Sequence, residues 1–406
     1  MRILFTFLFL AFFSTASAKQ NISVTFSHTS LTVNGRLQLP DGSGPFQVVV
    51  INPGTGANDK DGTLTLTGGN ALCLFPGIHG NTLTPYLGLS EALSDSGYAV
   101  LTYDKIEYTY PNPSPISFER LWLPVESAIR YLKTRSDIDT SNIILLGHSE
   151  GSSIIPFIAR KFPEVKALIS LAGPRRPLDT LLAYQLENIA TICNGDVQAA
   201  INDGNQILQY VSDIRNGLWN ISTPPLFGVS AAVWSDYFKV VDSVAINYNI
   251  ANRKTLFIGL GDDINVPVNI ELPRFQQEVS INATYYNLPG LNHYLTTAST
   301  PSTSEALTDT IVYWLRTNIF PLSVAELPAG EEGITVVVNE DNVSINTVDE
   351  LITGVVLTDV AGRVLNALEP RRRSIELPLP EQAGVFILSV QTNKRSYVKK
   401  FTRVGY

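Results

Sequence analysis

The 406 residues predict an α/β architecture: a mostly parallel sheet with a helical insertion, followed by a small all-β sandwich domain. Three observations carry this prediction. Short apolar runs of buried-strand length recur at 47–51, 98–103, 142–146, 167–171 and 255–260, with helical periodicity between them. The stretch 175–253 interrupts that rhythm and reads as mostly helical. Beyond residue 334 the pattern changes to short β runs separated by turns. The composition agrees: 44% of residues are hydrophobic and 16% charged, enough apolar side chain for a sizeable core. A formal charge of −8, with no basic patch interleaved with aromatics, argues against a nucleic-acid partner.

Taken in order, residues 1–18 read as a signal peptide. Arg2 supplies the positive end, 3–13 the apolar run and Ala16-Ser17-Ala18 the small-residue cleavage site. The run is short for a bilayer, so an uncleaved anchor is the lesser alternative. The mature chain then begins near Lys19, and no later stretch reads as a transmembrane helix. Alternation at Leu31, Val33, Leu37 and Leu39 predicts an antiparallel hairpin at the sheet edge. The strand 47–51 runs into the Gly-rich turn Asn52-Pro53-Gly54-Thr55-Gly56. The long connection 64–84, which carries Cys73 and His79, suits the rim of a pocket. A helix over 86–94 and a strand over 98–103 follow. Pro111, Pro113 and Pro115 then stiffen a loop, and Phe118, Leu121, Val125, Ala128, Ile129 and Leu132 repeat at helical spacing as core positions.

The strand 142–146 leads into Gly147-His148-Ser149-Glu150-Gly151, and a helical stretch follows. Strand, sharp turn with Gly on both sides of Ser, then helix is the signature of a nucleophile elbow. A serine at neutral pH is a weak nucleophile and needs a base and an orienting acid. Both occur downstream in the required order. The strand 255–260 ends in Gly261-Asp262-Asp263-Ile264-Asn265-Val266-Pro267, and the strand 283–288 ends in Pro289-Gly290-Leu291-Asn292-His293. His293 alone of the four histidines sits just after a late strand.

These three stretches together resemble the α/β-hydrolase superfamily, and within it the bacterial esterase-like members, over about residues 30–320. The resemblance implies Ser149 as nucleophile, His293 as base and Asp263 as acid, because Asp263 stands at the family's spacing before Val266-Pro267. Counted from Gly259, the spacing favours Asp262 instead. It also implies an oxyanion hole built from the backbone N–H of Glu150 and, by position, of Thr55. Here the chain departs from the family, with Pro53-Gly54 in place of His-Gly, whereas Asp59-Lys60-Asp61-Gly62-Thr63 keeps the pattern. No cofactor or metal is expected.

The resemblance also makes 175–253 the cap, where Trp219, Phe227, Trp234, Tyr237 and Phe238 wall a substrate pocket or form the cap's own core. In such a fold Cys73 and Cys193 both lie above the strand ends, so they either bridge cap to core or stay separate buried thiols. Residues 304–318 read as the last helix of a catalytic domain spanning 19–320, with Leu307, Ile311 and Trp314 on one side; 321–333 reads as a linker. The domain 334–406 resembles the C-terminal sorting domain of type IX secretion cargo, through Asp359, Gly362, Arg363 and Val364, then 384–390, then Lys399-Lys400-Phe401. That resemblance implies a Bacteroidetes-type bacterium, secretion machinery as partner and a product that is extracellular or attached to the outer-membrane surface. A carbohydrate-binding module is the alternative for this tail. The expected function is a secreted serine hydrolase cleaving small-molecule carboxylic esters through an acyl-enzyme. A serine peptidase or amidase on the same fold, and a non-catalytic surface-binding protein, are the alternatives.

Overall fold

A computed structural model describes residues 19–28, 31–42, 44–110, 117–319, 334–339, 342–359, 364–380, 384–393 and 396–403. The predicted signal peptide 1–18, the linker 321–333, Pro111, Pro113, Pro115, Gly362 and Arg363 lie outside them. The chain divides into two compact units, up to Val312 and from Tyr313 onward.

In the first unit, the alternating edge sequence forms β1 (Gln20–His28) and β2 (Leu31–Leu39), paired antiparallel. Then come β3 (Phe46–Asn52), a small hairpin of β4 (Leu64–Thr65) and β5 (Thr82–Leu83) with the helical turn α1 (Ala71–Leu74) between them, and α2 (Pro85–Asp95), with proline in its first turn where no N–H is required. Next are β6 (Ala99–Tyr103), α3 (Ile106–Thr109), α4 (Leu123–Leu132), β7 (Ile138–His148), α5 (Glu150–Ala159) and β8 (Val165–Leu171). Four helices follow: α6 (Leu178–Ile192), α7 (Val197–Arg215), α8 (Ala231–Val241) and α9 (Val244–Ala251). The unit continues through β9 (Lys254–Leu260), α10 (Val268–Glu278) and β10 (Ala283–Leu288) into α11 (Glu305–Trp314), inside which the unit boundary falls, earlier than the expected residue 320.

Eight strands make one sheet in the order β1-β2-β6-β3-β7-β8-β9-β10, antiparallel at β1/β2 and β2/β6 and parallel from there on. This is the α/β-hydrolase fold. The inner strands β3, β7, β8 and β9 read as mainly apolar runs because both faces are covered, whereas the edge strand β10 carries Thr284 and Asn287. Val48, Val50, Leu145 and Leu168 pack on one side with α4, α5 and α9, while their neighbours Val49, Ile144, Leu146 and Ile169 are equally buried. Val244, Ala245, Tyr248 and Ala251 belong to that sheet core. The insertion expected over 175–253 is therefore shorter at its end: α9 is part of the main body, and the cap consists of α6 to α8. The cap has its own core of Ile207, Val211, Ile214, Tyr237, Phe238 and Val241, with Trp219 and Trp234 packed on it. Trp234 stacks on Phe238 and Tyr237 meets both rings edge-on, so these rings serve the cap's interior. Phe227 is exposed, at a positive φ of 52°. Cys73 in α1 and Cys193 just after α6 form a disulfide that closes 120 residues.

In the second unit, two antiparallel sheets, β11 (Ile334–Val338), β12 (Asn342–Thr347) and β15 (Ser374–Pro378) on one side and β14 (Val364–Leu368), β13 (Ile352–Asp359), β16 (Gly384–Thr392) and β17 (Ser396–Arg403) on the other, enclose a core. Alternate residues Val343, Ile345, Val355, Leu357, Phe386, Leu388 and Val390 fill it. Burial of Phe386 removes it from any exposed aromatic platform.

Candidate active site

Four loops meet at the carboxyl ends of the parallel strands, the edge at which open α/β sheets bind ligands. The first is the elbow. β7 ends at His148, α5 begins at Glu150, and Ser149 between them has φ 52° and ψ −123°. The flanking glycines are required by space. A Cβ on Gly147 would strike the main chain of Gly151 and Ser152, and one on Gly151 would strike the main chain of Asn52 and Pro53. The Ser149 N–H donates to Leu171 O at 2.9 Å, and Ser152 Oγ donates to Ser149 O at 2.7 Å, so the turn is bonded on both sides.

The second and third loops follow β9 and β10. These strands pair in parallel with Leu260 opposite Leu288, which sets the two loops side by side. Gly261 N–H donates to Leu288 O at 2.7 Å and Asp262 N–H to Leu291 O at 2.9 Å. Within this frame Asp263 Oδ2 accepts from His293 Nδ1 at 2.7 Å. Asp263 Oδ1 accepts from the N–H groups of Asn265 and Val266, each at 2.8 Å. Both members of the pair are buried, while Asp262 is exposed. With Nδ1 donating to a carboxylate, His293 Nε2 is the nitrogen left to accept a proton.

A second histidine lies beside the first, with ring centroids 4.8 Å apart. His148 Nε2 donates to the His293 carbonyl at 2.9 Å, which leaves Nδ1 as acceptor for the Tyr86 hydroxyl at 2.9 Å. Tyr86 Oη in turn accepts from Gly54 N–H at 3.0 Å. Burial, and then the neighbouring His293, push His148 down to about 3. It is neutral at ordinary pH, and this directed chain ties the elbow strand to the main chain that carries His293.

The fourth loop follows β3. Gly54 packs against the elbow, where a Cβ on it would lie 3.2 Å from Ser149 Cβ. Its N–H is taken by Tyr86, whereas the N–H of Thr55 meets no acceptor among the described residues. The Glu150 N–H is a first-turn donor that the helix itself cannot satisfy. Sequence reasoning gave no site role to Tyr86 or Lys105 and left Tyr237 open between pocket wall and cap core. Lys105 Nζ donates to Gly54 O at 2.9 Å and faces Glu150 Oε2 at 3.4 Å, and the Tyr237 hydroxyl donates to Glu150 Oε1 at 3.1 Å. The sequence signal for Lys105 was Tyr103-Asp104-Lys105, which resembles the start of a Tyr-Asp-Lys-Arg-Gly motif of esterase-like hydrolases but continues as Ile106-Glu107; Tyr237 stood only in the aromatic cluster of the insertion, and Tyr86 had no signal. The cap also bonds the acid loop, through Gln185 Nε2 to Asn265 O at 2.9 Å and Asn188 Nδ2 to Ile264 O at 3.1 Å.

Residues 125–278 match a family model described as BAAT / Acyl-CoA thioester hydrolase C terminal. The chain is 30% identical over 174 residues to Esterase EstD of Thermotoga maritima, a match covering 41% of this chain and 37% of that esterase. Among solved structures it is similar to the esterase domain of a Rhodothermus marinus protein, at 17% identity and TM-score 0.46, covering 73% of this chain and 98% of the other. It is also similar to Est1E from Butyrivibrio proteoclasticus, at 14% identity and TM-score 0.47, with the same two coverages.

Proposed function

We propose that this protein is a serine hydrolase that cleaves small-molecule carboxylic esters, with Ser149 as nucleophile, His293 as base and Asp263 as the acid that orients it. The observation that carries the reading is the buried bond from His293 Nδ1 to Asp263 Oδ2, together with a serine held at positive φ on the strand-to-helix turn that follows His148, whose ring lies 4.8 Å from that of His293. In this reading Ser149 Oγ attacks the acyl carbon as its proton passes to His293 Nε2. The negative charge moves to the former carbonyl oxygen, which the N–H groups of Glu150 and Thr55 stabilise. Collapse expels the alcohol, which leaves with the proton from His293. Water then attacks the acyl-enzyme by the same route in reverse and releases the acid.

The match to a thioester-hydrolase family model supports thioesters as a second substrate class, with a thiol as leaving group. We further propose that residues 1–18 direct export and that the C-terminal unit is a secretion-sorting domain recognised by the export machinery. The motif residues Asp359, 384–390 and 399–401 support this. The test of the catalytic reading is hydrolysis of p-nitrophenyl esters and the matching thioesters, short to long acyl, by protein lacking residues 1–18, beside Ser149→Ala. Turnover that disappears in the variant is the expected result. No turnover, with no labelling of Ser149 by a fluorophosphonate, would overturn the hydrolase reading.

A further inference from the structure

An oxyanion hole made of two N–H groups works only if both aim at one point, and here they come from segments 95 residues apart, Thr55 after β3 and Glu150 at the start of α5. Lys105, at the end of another strand's loop, reaches both. Its Nζ donates to Gly54 O at 2.9 Å, and the same nitrogen faces Glu150 Oε2 at 3.4 Å. Both side chains are nearly buried, at 8% and 11% exposure, so solvent screens the pair little.

The Gly54 carbonyl is not an incidental acceptor. Gly54 C=O and Thr55 N–H belong to one peptide unit, which is planar and trans, so the two groups point in opposite directions. Holding the oxygen therefore aims the N–H. Two donors hold it: Lys105 Nζ, and Asn58 Nδ2 at 3.0 Å. A cation on the oxygen also polarises the peptide and strengthens its N–H as a donor. At the other wall, the Glu150 carboxylate follows directly after the nucleophile, where negative charge opposes an oxyanion. Lys105 offsets that charge, and the Tyr237 hydroxyl from α8 of the cap occupies the second oxygen at 3.1 Å.

We infer that Lys105 is a positioning residue that sets both donors of the oxyanion hole, with Asn58 assisting at Gly54 and Tyr237 assisting at Glu150. The inference rests on the serine-hydrolase reading above and names the part of the site that reading leaves unexplained.

The test measures kcat and KM on a p-nitrophenyl ester together with the affinity of a trifluoromethyl ketone. Ser149 Oγ adds to the ketone carbon and its proton moves to His293, leaving an oxyanion in the hole. Lys105→Met should lower kcat by about 30- to 100-fold and weaken the ketone by a similar factor, with KM within about threefold. The double variant Lys105→Met with Glu150→Gln should recover about fivefold or more, because it removes the unpaired carboxylate. A Lys105→Met protein whose kcat stays within about threefold of the parent overturns the inference, as does one whose ketone affinity tracks KM rather than kcat. Should Lys105→Met fail to fold, Asn58→Ala decides by the same readouts, with an expected loss of about fivefold in kcat and in ketone affinity at unchanged KM; no loss overturns the inference. Parent protein that neither turns over nor takes a fluorophosphonate sinks the underlying hydrolase reading, and this inference with it. Labelled, active parent protein beside a fully active Lys105→Met sinks this inference alone.

Discussion

The end of the elbow strand and the loop after β10 each hold a buried histidine, 4.8 Å apart between ring centres, and the two are wired in opposite ways. His148 uses both nitrogens on neutral partners, a tyrosine hydroxyl and a carbonyl, and is pushed down to about 3. His293 spends Nδ1 on a carboxylate that three donors hold, and its Nε2 has no partner among the described residues. Burial alone does not make a histidine a base. The partner on the other nitrogen decides whether a cation can form. In the proposed mechanism a neutral His148 adds no second positive charge next to the base.

The largest effects are expected at the reacting groups themselves. Ser149→Ala or His293→Ala should reduce kcat by roughly a million-fold in an ester assay, since the members of such a triad act as a unit. Asp263→Asn should cost about 10⁴-fold through the wrong tautomer of His293, while loss on the exposed Asp262→Asn stays within about threefold. If Asp262→Asn is the crippling change, the assignment of the acid is wrong. Breaking the cystine with Cys73→Ala and Cys193→Ala should lower unfolding free energy by about 2–4 kcal/mol in a denaturant titration, because a 120-residue loop is released in the unfolded chain. His148 sharpens the comparison through pH. Its folded value of about 3 lies below the ordinary value of 6.5, so between these the unfolded chain binds the extra proton. Stability should therefore fall as pH drops from about 6.5 towards 3, and His148→Gln should flatten that slope in urea melts at pH 7 and pH 4. Tyr86→Phe leaves His148 Nδ1 without its donor and should cost about tenfold in kcat in the same ester assay.

The structure also separates what periodicity can report from what it cannot. The runs 47–51, 142–146, 167–171 and 255–260 lie wholly in strands of the sheet, the run 98–103 does so from Ala99 on, and the C-terminal β runs lie in strands. The strands β12 and β14 went unseen because Asn and Ser in β12, and Asn and Ala in β14, dilute their alternation to a few apolar positions. The aromatic cluster of the insertion read equally as pocket wall or core, since composition is the same for both; burial and edge-to-face packing put the rings of Tyr237 and Phe238 in the cap's interior, while Phe227 stays exposed. α9 looked like more cap, yet its Tyr248 and Ala251 face the sheet. A helix shows in its sequence which side is apolar, not what that side will meet.

By itself the sequence determined the alternation of buried strand and helix, the glycines that an elbow at Ser149 demands, and the order in which a serine, an acidic turn and a histidine follow. Those are local properties, set by side-chain period and by the room left around a single turn. Folding settles which of the two candidate carboxylates, Asp263 rather than Asp262, meets His293, and it alone brings Cys73 to Cys193, Tyr86 to His148 and Lys105 to both Gly54 and Glu150. These pairings join residues 30 to 120 positions apart. They depend on strand register, above all on β10 lying parallel to β9, and no short-range pattern in the chain encodes that register.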